Sequence, residues 1–146
     1  MASIHASAVL VGARAVLIRG ASGAGKSRLV FALLNAAARG ELPFARLVAD
    51  DRVLLEAVHG RLVASAPASI GGLIEMRGHG PVEMPHEPQA IVGWVVDLDA
   101  ADATRMPEAG GMIAEILGVA LPRVAVAAGQ DPLPLALRAI ADGFQP

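Results

Sequence analysis

Apolar and polar positions along the chain fall into short blocks, which predict a run of strands broken by one clear helix. Residues 4–10 are mixed in character and compatible with a strand. Gly12-Ala13-Arg14 then reads as a tight turn before an apolar strand at 15–19, so the two predict a hairpin. In that hairpin Val11 opposes Ala15, and His5 falls across from about Ala21. Leu29, Leu33, Ala36 and Ala37 recur at helical spacing and predict a helix from Lys26 to about Ala38. Arg39-Gly40 supplies a cationic last turn and a glycine stop. A strand at 45–49 ends in Asp50-Asp51. Strands at 53–58 and 62–66 flank His59-Gly60-Arg61 as a second hairpin. Residues 67–72 form a loop. If Leu73-Ile74-Glu75-Met76-Arg77-Gly78-His79-Gly80 is extended, Glu75, Arg77 and His79 share one face. Three prolines make 81–89 a loop, and 90–98 is a long, central apolar strand with Asp97 and Asp99 at its end. The segment 112–117 is a short helix or an apolar turn, and 121–126 is an edge strand. A C-terminal helix at 133–141 follows the start signal Asp131-Pro132.

Composition narrows the function classes. The 146 residues fit one domain, able to bury roughly 70% of its unfolded surface. Apolar residues make up 54% and charged residues 18% of the chain. A net charge of −2 offers no basic field for nucleic acid, and three Phe, one Trp and no Tyr leave little for base stacking. The absence of cysteine excludes disulfides, Cys-based zinc sites and thiol catalysis. No apolar run approaches the ~20 residues of a membrane span, and the N-terminus lacks the regions of a signal peptide. The expectation is a soluble, cytoplasmic protein with no membrane or nucleic-acid partner.

Candidate chemistry centres on Gly20-Ala21-Ser22-Gly23-Ala24-Gly25-Lys26-Ser27, which satisfies the P-loop pattern G-x-x-x-x-G-K-[ST] between an apolar strand and a helix. Its glycines let successive N–H groups turn inward toward phosphate oxygens, and the helix start adds its positive dipole end. Lys26 would reach the β- and γ-phosphates, and the Ser27 hydroxyl would ligate Mg²⁺. Asp50 and Asp51, delivered by an apolar strand to the sheet edge where α/β proteins bind ligands, resemble a Walker B element; a plain turn is the competing reading. One carboxylate can hold Mg²⁺ or its waters, and the other can accept a proton from an attacking hydroxyl. The ionisable 73–80 segment fits either a site approached by a ligand or an exposed edge strand. His5 is either beside the phosphate loop or merely exposed. Arg105 is either a solvated loop residue or a phosphate contact.

The arrangement resembles the kinase domain of HPr kinase/phosphorylase. Four features carry the resemblance: His5 upstream of the P-loop lysine, the P-loop itself, Leu47-Val48-Ala49-Asp50-Asp51-Arg52-Val53, and the L-x-E-x-R-G-x-G run from Leu73 to Gly80. It covers residues 4–105 well and the rest weakly. The resemblance implies an α/β fold: a P-loop kinase core of the PEP-carboxykinase-like type, with a mixed β-sheet, a helix after the P-loop and a C-terminal helix. It implies ATP and Mg²⁺ as cofactors and an HPr-like phosphocarrier protein as partner, in a homo-oligomer (hexamer or trimer). The chain resembles the short α-proteobacterial form of the family, without an N-terminal regulatory domain. By the same resemblance Lys26, Asp50, Asp51, His5 and Arg105 are catalytic, Asp51 being the general base and His5 its partner. Ser27 and Glu75 are the Mg²⁺ ligands. The family's usual acid after the P-loop serine is replaced by Arg28, and the region from Arg123 to Arg138 follows the family only loosely. The resemblance implies serine kinase activity, and phosphorolysis of the phosphoserine as a further activity. The rivals are a small-molecule kinase of another P-loop family and a non-catalytic nucleotide-binding regulator.

Overall fold

Eleven strands, two α-helices and one short 3-10 turn (Ala68–Ile70) build the protein among the residues that the computed structural model describes, namely 1–21, 23–103 and 112–143. In chain order they are β1 (Ala2–Ile4), β2 (Ala6–Val11), β3 (Arg14–Arg19), α1 (Lys26–Ala38), β4 (Arg46–Ala49), β5 (Val53–Val58), β6 (Arg61–Ser65), β7 (Leu73–Met76), β8 (Gly80–Glu83), β9 (Gln89–Asp97), β10 (Ile113–Ile116), β11 (Val119–Ala125) and α2 (Pro132–Ala141). Nine strands share one mixed sheet in the order β1-β5-β6-β9-β3-β2-β4, with β11 also on β9 and β10 on β11; β7 and β8 form a separate pair.

The expected first hairpin is present, with a register one residue tighter than predicted. Val11 pairs with Arg14 and Ala6 with Arg19, so the turn is Gly12-Ala13 and Arg14 already belongs to β3. Gly12 takes the positive φ (+73°) that a two-residue turn asks of its first position. Side-chain alternation is the reason. This register sets Val9 against Val16, and both enter the core under the helices, whereas Ala8 and Leu17 enter the core on the opposite face. The second hairpin, β5–β6, turns through His59 and Gly60, both at positive φ.

The central strand β9 has a divided edge. Its first residues pair antiparallel with β6 (Val63 with Ile91), and its last pair parallel with β11 (Val124 with Val96). Along the other edge β3 runs parallel to it, with a register shift between Ala15–Val92 and Val16–Trp94. Gly93 is the residue skipped by that bulge. A Cβ there would stand 2.8 Å from Arg14 Cβ, so only glycine lets β3 approach. The bend lets the β1-β5-β6 side curl over the sheet and close a core of Ala6, Leu17, Val53, Leu55 and Leu62. Helices α1 and α2 cover the other face through Leu29, Leu33 and Ala136 against Val16, Ile18 and Val96.

Two segments differ from expectation. The stretch from Leu73 to Gly80 is not one strand: β7 ends at Met76, a turn carries Arg77 to His79, and β8 returns with Leu73 opposite Glu83. Gly78 and Gly80, both at positive φ, break the extended run. Residues 112–117 are neither helix nor simple turn, since β10 and β11 form a hairpin through Leu117-Gly118. The limits of α1 are those predicted. Gly40 follows it at positive φ, and the Glu41 N–H donates to Ala36 O over 2.8 Å.

Candidate active site

The P-loop leaves the carboxyl end of β3. The Leu98 N–H donates to Arg19 O (2.9 Å), tying the start of the loop to the end of β9. A Cβ on Gly20 would lie 3.2 Å from both Ala24 Cβ and Leu98 Cβ, so the loop packs closely because a glycine begins it. Gly25, at φ +104°, caps α1 without any side-chain acceptor, and α1 has no acid in its first turn. The helix thus presents its first N–H groups and dipole end to the loop without an internal acid to neutralise them.

Lys26 is 5% exposed. Its Nζ donates to Gly20 O (2.8 Å) and Ala21 O (3.2 Å), so the ammonium curls over its own loop. Among the described residues no carboxylate forms an ion pair with it. A buried cation held by carbonyls is short of countercharge, and an anion in the loop would supply it. These features fit polyphosphate.

Asp50 is the hub. It is also 5% exposed, at the end of β4. Ser27 Oγ stands 2.9 Å from each of its carboxylate oxygens, Ser7 Oγ donates to Oδ1 (2.7 Å), and the Glu75 N–H donates to Oδ2 (3.2 Å). One carboxylate therefore ties together β2, the P-loop helix, the β4 end and β7. A hydroxyl and a carboxylate side by side are the hard oxygen donors that Mg²⁺ prefers. Among the described residues no group of three His, Asp or Glu could enclose a metal alone. A Mg²⁺ site of one or two protein oxygens completed by phosphate and water needs none.

Asp51 behaves oppositely. It is exposed, with φ +64°, and the Arg52 N–H donates to Asp50 O across it (2.8 Å). A bond spanning one residue at positive φ is the mark of a γ-turn in its rarer, strained form. The Asp51 N–H is anchored on Ser7 Oγ (3.1 Å), which fixes the backbone while the carboxylate faces solvent. Neighbouring carboxylates thus have separate stations, one buried on hydroxyls and one presented outward.

His5 sits at the break between β1 and β2, and its Nε2 lies 3.3 Å from the Arg52 guanidinium, which also donates to Ser3 Oγ (3.0 Å). Its contact is thus with the residue after Asp51. Glu75 reaches Asp50 through its backbone, its side chain being exposed. Arg77 and His79 lie exposed in the β7–β8 turn. Arg105 and Ser22 lie outside the described residues.

Two features escaped sequence reasoning. Ser7, fully buried, is the relay between Asp50 and Asp51; its one signal is a hydroxyl inside an otherwise apolar strand. The other is a charge network beside the loop. Asp97 accepts from Arg19 (2.7 and 2.8 Å) and from Arg123 (2.6 Å), and Arg123 also forks onto Asp102. Burial alone would raise the Asp97 pKa, but the hydrogen bonds and charges of both arginines outweigh it and hold the carboxyl below its usual range. Asp102 is lowered chiefly by Arg123, and Arg123 is raised in return, chiefly by Asp102 and then Asp97.

Comparison with known proteins converges on one family. Residues 1–87 match the family model described as HPr Serine kinase C-terminal domain. An HPr kinase/phosphorylase of Clostridium tetani is 38% identical over 82 residues, covering 56% of this chain and 25% of the relative. That of Geobacillus thermodenitrificans is 33% identical over 138 residues, covering 85% of this chain and 41% of the relative. The chain thus spans between about a quarter and two fifths of the length of these curated relatives. The solved Hpr(Ser) kinase/phosphatase from Coxiella burnetii shares the fold, with a TM-score of 0.77 at 22% identity over 97% of this chain and 95% of that one. With the match extending from the first strand through the P-loop, Asp50-Asp51 and the β7–β8 pair, the chain belongs to the HPr serine kinase C-terminal domain family.

Proposed function

We propose that this chain is a single catalytic domain with a P-loop kinase core of the PEP-carboxykinase-like type, and that it transfers the γ-phosphoryl group of ATP to a serine of an HPr-like phosphocarrier protein. The observation that carries this reading is the division of labour between Asp50 and Asp51. Asp50, buried on Ser27 and Ser7, holds the metal-side hydroxyl in place. Asp51, exposed on a pinned backbone, is the general base that takes the proton of the incoming serine hydroxyl. The N–H groups of the loop and Lys26 hold the phosphates in line with that hydroxyl. Ser27, with Glu75 nearby on β7, would hold Mg²⁺, which when bound neutralises charge on the transferring group. His5 rests on the guanidinium of Arg52, the residue next to Asp51, and so borders the place where the incoming serine would meet its base.

In the reverse direction a protonated Asp51 would donate to the leaving serine oxygen as inorganic phosphate attacks phosphoserine, giving pyrophosphate. Arg105 is assigned to polarise the phosphate. We place the protein in the cytoplasm, as a homo-oligomer (hexamer or trimer); among the described residues no helix is long and apolar enough to cross a membrane.

The test is a substrate panel. Purified protein is mixed with Mg²⁺, labelled ATP and HPr-like carriers or small metabolites, and separately phosphorylated carrier is mixed with phosphate. Label on a carrier serine is expected. Label on a metabolite alone would make the protein a small-molecule kinase, and nucleotide binding without any transfer would make it a regulator.

A further inference from the structure

A cavity opens directly off the P-loop, lined by Ala24 and Gly25. It is a cleft of about 450 Å³ between the first turns of α1 and α2, within the range of small-molecule sites. One face of α1 forms a wall: Gly25, Arg28, Leu29 and Ala32 follow one another at helical spacing. Leu98 and Val126 form the floor, and each is the first residue beyond a parallel strand, β9 or β11. The cleft therefore lies where parallel α/β strands deliver ligands, at their carboxyl ends. Leu133 on α2 faces it from the other side.

The polar side chains that line it are Arg28, Asp99, Gln130 and Asp131. Asp131 caps α2 through Oδ1, and Gln130 accepts from the Ala127 N–H through Oε1, so its NH2 end remains the donor. Among the described residues the cation that lines it is the exposed Arg28, and no aromatic side chain lines the walls. A guanidinium is planar and stacks on π-faces, which an ammonium cannot do.

We propose that this cleft takes the nucleoside of the phosphate donor, with the base stacked on the Arg28 guanidinium between Ala32 and Leu133, and the ribose hydroxyls directed to Asp131. The inference rests on reading residues 20–27 as the phosphate cradle. It makes Arg28, the departure just past the motif, the stacking platform of a cleft whose described lining holds no aromatic ring.

The test compares binding of ATP and of tripolyphosphate, each with Mg²⁺, to the full chain. Wild type is expected to favour ATP by about tenfold or more, the scale of one stacked base. Arg28→Lys keeps the charge and loses the plane, so it should erase most of that preference and leave tripolyphosphate affinity within about twofold. Ala32→Phe, which fills the cleft, should do the same. In wild type, methyl NMR shifts that ATP produces and tripolyphosphate does not should centre on Ala32, Leu98, Val126 and Leu133. Equal affinity of wild type for both ligands, an unchanged preference in Arg28→Lys, or ATP-specific shifts elsewhere would overturn the proposal. Binding of neither ligand would overturn the phosphate cradle itself, and this inference with it.

Discussion

Ser27 Oγ stands 2.9 Å from both carboxylate oxygens of Asp50, so the hydroxyl that closes the P-loop motif is held by the end of β4. The same carboxylate takes Ser7 and the Glu75 N–H. Asp50 therefore has a structural duty that Asp51, exposed beside it, does not share.

Unfolding measurements should separate the two. Asp50→Ala leaves buried donors without their acceptor and should cost about 1–3 kcal/mol in urea denaturation. Asp51→Asn keeps a residue type that tolerates positive φ and should stay within about 0.5 kcal/mol of wild type. Equal losses in the two variants would refute the separation.

Ser7 is predicted to matter to both carboxylates. Ser7→Ala removes the donor to Asp50 and the acceptor for the Asp51 N–H, and should destabilise the fold by about 1–2 kcal/mol. Any phosphoryl transfer should slow as well, because the backbone that aims Asp51 loses its anchor. A Ser7→Ala protein with wild-type stability and rate would mean that the relay is idle.

Local chemistry was legible in the chain and cross-strand chemistry was not. The limits of α1 follow from Gly25, the apolar spacing and Arg39-Gly40, all of them local signals. The P-loop and Asp50-Asp51 are contiguous motifs, so they could be named as candidates. Ser7 was missed because its partner lies 43 residues away, and the Arg19–Asp97 pair spans 78 residues. The β7–β8 break and the β10–β11 hairpin turn on backbone conformations at Gly78, Gly80 and Leu117. Leu117 at positive φ is a choice that residue preferences argue against. Nor did alternation distinguish a two-residue from a three-residue first turn until both cores were assembled.

Acid should expose the Asp97 network. Arginine hydrogen bonds lower the Asp97 pKa in the folded state, so its stabilisation is complete above the unfolded carboxylate pKa of about 3.9. That stabilisation is lost as pH falls toward and through the lower folded value. Urea midpoints followed from pH ~5 to ~2 should therefore decline less steeply in Asp97→Asn than in wild type. Parallel declines would show that Asp97 titrates alike in both states.

The bulge in β9 offers a test of the fold itself. Gly93→Ala would bring a methyl group against Arg14 Cβ and Cδ, 2.8 and 3.1 Å from its ideal position. Overpacking of this kind costs about 1–3 kcal/mol and should lower the thermal midpoint. An unshifted midpoint would place β3 further from β9 than described.

The central claim is that Asp51 accepts the proton of a carrier serine during transfer from ATP. Label transfer from ATP to an HPr-like protein, in the presence of Mg²⁺, should be about 10²–10⁴-fold slower in Asp51→Asn than in wild type, with the fold intact. Transfer by Asp51→Asn at the wild-type rate would contradict it.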